Sequence, residues 1–305
     1  MDQPYVVFIG ATDIDEYYET DRPWPKNGSK CVFRFKSNEL GGMISNAACV
    51  MAGYGQKTYL LDTMNESENS ALALHMLDNY HLDTSYIFRD PSIPDAKCII
   101  FQAEGERTIM VIDANKPPMV IKGKHKQLLD NAAYIYSIPD DLVRIEDFRT
   151  VLSNARAAGA KLCMDIEAHK LDEDRMWLVQ HADLLFLNDD GVDNLRGQDS
   201  EEVLYERLFS YGVGMLVITL GSKGCMVKTP DSTVRVPAMK VQPVDTTGAG
   251  DTFNSSFLFQ LLRGAGPEQA ARFACAAAGR AVTIYGPKAG VVDENTVLTF
   301  MKKGQ

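Results

Sequence analysis

The chain has 305 residues, 45% of them hydrophobic and 24% charged, enough for one large α/β core or two smaller ones. A formal net charge of -10, with Lys and Arg scattered along the chain, argues against nucleic acid or an anionic membrane as partner. Six separated cysteines (Cys31, Cys49, Cys98, Cys163, Cys225, Cys275), none in a C-x-x-C, read as buried free thiols in a reducing compartment; no leader or apolar span is legible, so a cytoplasmic protein is expected.

Residues 5–9 are a continuous apolar run ending at Gly10, the pattern of a strand buried on both faces. Asp13 and Asp15 follow its C-terminal end, the edge of an open α/β sheet where ligands bind, which makes them substrate candidates; a solvated turn is the alternative. Between 16 and 40 the pattern fades, except that Cys31, Phe33 and Phe35 alternate with Val32, Arg34 and Lys36 at the period of a half-exposed strand over 30–36. Residues 97–103 and 107–113 form a similar pair around Glu104-Gly105-Glu106. Together they predict a small antiparallel sheet outside the main fold: a lid, a dimer contact or a decorative hairpin.

Gly41 and Gly42 precede a small-residue helix over 47–53 and let backbone approach a ligand, while Asn46 can donate to and accept from hydroxyls, as a polyol requires. The chain then alternates. Strands are predicted at 57–61, 133–138, 161–166, 183–187 and 215–220 and helices at 66–79, 140–158 and 201–211, the rhythm of a parallel sheet with right-handed crossovers. After Leu220 the bracketed loop Gly221-Ser222-Lys223-Gly224 offers backbone donors, although the hairpin that follows, 225–228 with 233–236, wants glycine anyway.

Asp245-Thr246-Thr247-Gly248-Ala249-Gly250-Asp251 opens into an apolar helix over 252–262. Its small residues and the unpaired amides of a helix's first turn make an anion site, and a carboxylate inside such a site suits a base beside a phosphate. The bland alternative is Asp251 as a helix-start residue. A second helix begins at Pro267, and a polar helix over 294–302 ends the chain.

Other chemistries lack their signatures. There is no G-x-x-x-x-G-K-[ST], no G-x-G-x-x-G after the first strand and no G-x-S-x-G; the five histidines (His75, His81, His125, His169, His181) show no ligand spacing.

Gly41-Gly42 with Asn46, Thr219 to Gly224, and Asp245 to Asp251, in this order and over essentially the whole chain, resemble the PfkB/ribokinase family of carbohydrate kinases. The resemblance implies a ribokinase-like three-layer α/β/α sandwich as one domain over 1–305, with a mostly parallel central sheet and a small β-sheet lid near 14–38 and 95–118. It implies ATP-dependent phosphorylation of a primary hydroxyl of a small sugar or polyol, with Asp251 as catalytic base and Gly248, Ala249 and Gly250 as the anion hole. Asp13, Asp15, Gly41, Gly42 and Asn46 match positions that hold the sugar. Asn188, Thr219, Gly221, Lys223, Gly224 and Gly286 match the nucleotide side. Asp245 and Thr247 match residues that hold a monovalent cation, K+ by ligand type, in some members.

The chain departs from the family's N-x-x-E, tied to Mg2+ and phosphate, by reading Asn188-Asp189-Asp190-Gly191; Asp189 or Asp190 would then order the Mg2+ water shell. The glycine-rich segment after Gly55 is replaced by Leu61-Asp62-Thr63-Met64-Asn65, and an acidic residue after 133–138 by Ile138-Pro139. Asp13 stands where several members have Asn. A nucleoside kinase (with Trp24, Phe33 and Phe35 for stacking), a phosphosugar kinase (with Arg34, Lys36 and Arg107) and a sugar-binding relative that has lost catalysis are the alternatives. Lid-to-lid pairing would make a homodimer.

Overall fold

A computed structural model describes residues 3–26, 29–104, 106–112, 114–167 and 171–303; Gly105, Asp113 and His169 lie outside them. The strands are β1 (Val6–Ile9), β2 (Ile14–Thr20), β3 (Arg34–Leu40), β4 (Thr58–Leu61), β5 (Thr63–Met64), β6 (Phe88–Arg89), β7 (Lys97–Ala103), β8 (Glu106–Ile112), β9 (Tyr134–Ser137), β10 (Lys161–Ile166), β11 (Leu184–Leu187), β12 (Met215–Thr219), β13 (Cys225–Thr229) and β14 (Ser232–Val236). The helices are α1 (Met43–Gly53), α2 (Glu68–Asp78), α3 (Lys124–Asp130), α4 (Pro139–Leu142), α5 (Phe148–Ala157), α6 (Glu173–Gln180), α7 (Asp189–Arg196), α8 (Glu201–Ser210), α9 (Ala249–Leu262), α10 (Pro267–Ala281) and α11 (Glu294–Lys303).

Eight strands form the central sheet in the order β14-β13-β12-β11-β10-β9-β1-β4. From β12 to β4 all pairs are parallel, and the β12–β13–β14 edge is antiparallel. Successive side chains of a strand leave opposite faces, so Val6 and Phe8 of β1 enter one core with α1, α2, α9 and α10. Val7 and Ile9 enter the other, with α3, α5, α6, α7 and α8. The result is the expected three-layer sandwich.

A second sheet, β3-β2-β7-β8, stands apart. Its β2 and β7 run parallel while both outer pairs are antiparallel, so the sheet is mixed and not the antiparallel one expected. All seven residues of β8 are exposed, including Ile109, Met110, Val111 and Ile112. Trp24, Phe33 and Phe101 cluster edge to face on this sheet.

Three local readings differ from expectation. The strand read at 30–36 is displaced to Arg34–Leu40, because Phe33 packs into the aromatic cluster instead of the ladder. Residues 14–20, Ile-Asp-Glu-Tyr-Tyr-Glu-Thr, form β2 without a clean apolar alternation, since pairing on both sides supplies their backbone partners. The helix read over 140–158 is two, broken by the left-handed Asp147 (φ 52).

Candidate active site

Helix α9 begins at Gly248, whose φ of 73 places it in the left-handed region; a Cβ there would come within 2.4 Å of the Pro287 carbonyl oxygen, so only glycine fits. No side chain caps this end; the Ala249 amide donates to the Thr246 carbonyl at 3.2 Å, and Gly250, exposed in the first turn, lines the cleft outside it. Asp251 is in that first turn and is buried. Its Oδ2 accepts a hydrogen bond from Asn46 Nδ2 at 2.8 Å. Burial drives its pKa up to about 7, against the Asn46 bond and the Lys288 charge and with the Glu167 charge.

Asn46 is brought there by α1, whose N-cap Gly42 has φ 89 and would place a Cβ 2.3 Å from the Ala11 carbonyl oxygen. Gly41 lies where a Cβ would meet the Oδ1 atoms of both Asp13 and Asp15 at 2.4 Å, so these carboxylates converge over bare backbone. Cys98 Sγ donates to Asp13 Oδ2 at 3.3 Å, and Asp13 Oδ1 is buried without a partner among the described residues. Burial raises the Asp13 pKa and, with the Asp13 charge, raises Asp15 to about 6. Behind them Lys116 pairs with Asp62 at 2.7 Å in a buried salt bridge, and Asp62 also accepts the Thr12 amide at 2.9 Å, pinning the segment that carries Asp13.

Two clefts meet at the Asp245 turn, Pro243 and Thr246 lining both. One, of about 690 Å³, runs from Thr219, Gly221, Ser222 and Gly224 along Met239 and Val282 to Ala249, Gly250 and Phe253 and is mostly apolar. Gly224, with φ 96, holds its loop against the Val236 carbonyl. Lys223 is exposed and is not part of this wall, nor is Gly286, whose amide donates to Asp245 Oδ2 at 3.0 Å. The other cleft, of about 730 Å³, lies between the small sheet and the turn, walled by Tyr17, Arg34, Arg107, Asp245 and Tyr285.

Asp245 Oδ1 accepts from the Thr247 amide (2.9 Å) and hydroxyl (2.7 Å). Burial would raise its pKa, but these bonds, the Gly286 amide and Arg107 outweigh it and hold the carboxyl below its ordinary value. Arg107 Nη1, from β8, donates to Thr247 Oγ1 at 2.5 Å. A cation held by Asp245 and Thr247 would have to displace that guanidinium, so these side chains do not fit a monovalent ion as arranged. Asn188 caps α7 by accepting the Gly191 amide at 2.7 Å, leaving Asp189 and Asp190 exposed in its first turn beyond β11. A Cβ at Gly191 would come within 2.1 Å of the Ile166 carbonyl oxygen, the physical reason that the family's glutamate has no room here.

Two groups escaped sequence reasoning. Lys288, in the glycine-bracketed segment Gly286 to Gly290, donates from Nζ to Asn46 Oδ1; nothing but the bracketing glycines could have signalled it. Asp165, at the end of β10, is buried beside Asn254, which donates to it at 2.7 Å and to the Tyr136 hydroxyl at 3.0 Å. Burial, then the charges of Glu167 and Asp251, push the Asp165 pKa well up.

A buried carboxylate in the first turn of a helix, bonded to Asn46 on one side and next in sequence to the glycine wall of an apolar cleft, suits chemistry between two ligands. The sequence profile of the pfkB family carbohydrate kinases matches residues 3–294, and the chain belongs to that family of carbohydrate kinases. It is 26% identical to a ribokinase of Arabidopsis thaliana, over 98% of this chain and 81% of that one, and 24% identical to a ketohexokinase of Mus musculus, over 94% and 98%. The structure of Arabidopsis thaliana ribokinase complexed with ribose and ATP superposes with a TM-score of 0.86 at 24% identity, covering 99% of both chains.

Proposed function

We propose that the protein transfers the γ-phosphoryl group of ATP to a primary hydroxyl of a small sugar or sugar-like polyol, with Asp251 as general base. The observation that carries this reading is the position of Asp251: bonded to Asn46 on the polar side and one residue from the Ala249–Gly250 wall of the apolar cleft. The polar side takes the sugar. Asp13 Oδ1 and Asp15 Oδ1 converge there, and a sugar hydroxyl would satisfy the buried, unpartnered Asp13 oxygen. The apolar cleft takes the nucleotide, with Thr219, Gly221 and Gly224 along its floor and Gly250, in the first turn of α9, at its mouth.

In the reaction the hydroxyl oxygen bonds to the γ-phosphorus as the bond to the β,γ-bridging oxygen breaks. Asp251 takes the hydroxyl proton and ADP leaves. The transition state is loose, so in-line positioning and the first-turn amides supply most of the acceleration. Mg2+, when bound, would neutralise the phosphate oxygens; exposed Asp189 and Asp190 are suited to ordering its water shell from the strand edge, in place of the glutamate that Gly191 excludes. The small sheet acts as lid, and its exposed apolar edge β8 pairs two copies into a homodimer.

ADP release from ATP across neutral sugars, nucleosides and sugar phosphates tests the reading. Turnover with a neutral sugar is expected. Catalysis on none of them, with ligand-induced thermal shifts, contradicts it and favours a binding protein.

A further inference from the structure

Lys288 sits on the loop between α10 and α11, yet its side chain turns inward to the site. Its Nζ donates to Asn46 Oδ1, and Asn46 Nδ2 donates to Asp251 Oδ2 at 2.8 Å. Both ends of one amide are therefore committed, oxygen to a cation and nitrogen to the base. The loop itself is anchored to the phosphate end of the site: the Gly286 amide binds Asp245, and the Pro287 carbonyl lies against Gly248.

We propose that Lys288 is a positioning residue for phosphoryl transfer, which fixes the Asn46 amide with its nitrogen toward Asp251 and sets a positive charge beside that carboxylate. The inference rests on the reading of Asp251 as base. An amide turned the other way would aim its oxygen at the carboxylate, repelling the ionised form that must accept the proton. The ammonium bond to Asn46 Oδ1 removes that choice.

The groups around this pair make the cation necessary. Lys288 faces Cys49 from α1, Asp13 from the β1–β2 connection, Asp15 from β2 and Asp251 from α9. Asp251 further faces Glu167, which follows β10, and lies near Asp165 of β10 and Tyr136 of β9. Of these described residues, Lys288 is the cation beside Asp251 and the others are acids. Removing the ammonium leaves the base facing those acids without it, so its proton affinity rises and the ionised fraction at neutral pH falls.

The test is the pH dependence of kcat, with ATP and the best sugar of the panel, for wild type, Lys288→Met, Lys288→Arg and Asp251→Asn. Lys288→Met is expected to move the acid limb up by about one pH unit and to lower kcat at pH 7 about fivefold, with a smaller change in KM. Lys288→Arg, which keeps the charge, is expected to restore the limb. Where Lys288→Met does not fold, judged by circular dichroism, Lys288→Gln takes its place with the same expectation. A folded neutral variant with the wild-type limb overturns the proposal while leaving the base reading intact. Near-normal turnover by Asp251→Asn instead removes the base reading itself.

Discussion

Asp251 is a carboxyl held at about 7 by burial, roughly three pH units above the unperturbed value of about 3.9. The sign of its effect on turnover follows directly. A general base works only when ionised, so kcat rises with pH through about 7 and levels off above it. Initial rates between pH 5 and pH 9 at saturating substrates check this; a flat profile down to pH 5 would mean that the base is another group. The residues of the Asp245 to Asp251 stretch and Gly41, Gly42 and Asn46 were legible in the sequence because small residues before a helix have few other uses. Lys288 was not, because its role depends on a side chain reaching from one loop to an asparagine 242 positions earlier. The pairing of Asp13 with Asp15 over Gly41 was legible as two acids, but not as two oxygens converging on one point.

At the scale of elements, the start of α7 and the lid strand β8 carry the sharpest expectations. Gly191 lies so close to the end of β10 that Gly191→Glu, which would rebuild the family's N-x-x-E, must push the Ile166 backbone aside. We expect it to lower Tm by several degrees without raising activity, as strain at a packed backbone contact does; a thermal melt and an assay decide it, and a more active, equally stable variant would contradict the account of Asp189 and Asp190. Arg107 bonds Thr247 across the cleft from β8, tying the proposed lid to the Asp245 turn. Arg107→Met should raise the sugar KM about tenfold, the scale of one charge-assisted bond. An unchanged KM would mean that this contact has no part in closing the lid over the sugar. The parallel strands and the hairpin of β13 and β14 were legible from unbroken apolar runs and turn residues. The strand β2 was hidden, because its partners β3 and β7 are distant in sequence and its own residues alternate poorly.

For the whole molecule, the raised carboxyls set the dependence of stability on pH. Asp15 and Asp141 lie at about 6 and Asp251 at about 7, all pushed up first by burial. A folded-state pKa above the unfolded one contributes stability that is complete below about 4 and is lost as pH rises through 6 to 7. Tm of the ligand-free protein is therefore expected to be lower at pH 8 than at pH 5, and a higher Tm at pH 8 would contradict these burial effects. The proposed assembly rests on the same map of exposure. Val111, 73% exposed on β8, is the place to break the proposed lid pairing, and Val111→Lys should turn the proposed dimer into a monomer by light scattering; a dimer that survives it is held by another surface.

One carboxylate is proposed to serve both ligands. Its most direct test is Asp251→Asn, measured for turnover and, by calorimetry, for binding of the sugar and of a non-hydrolysable ATP analogue. We predict binding within about threefold of wild type and a loss of about two to four orders of magnitude in kcat. Turnover near that of wild type, with both ligands bound, would contradict it.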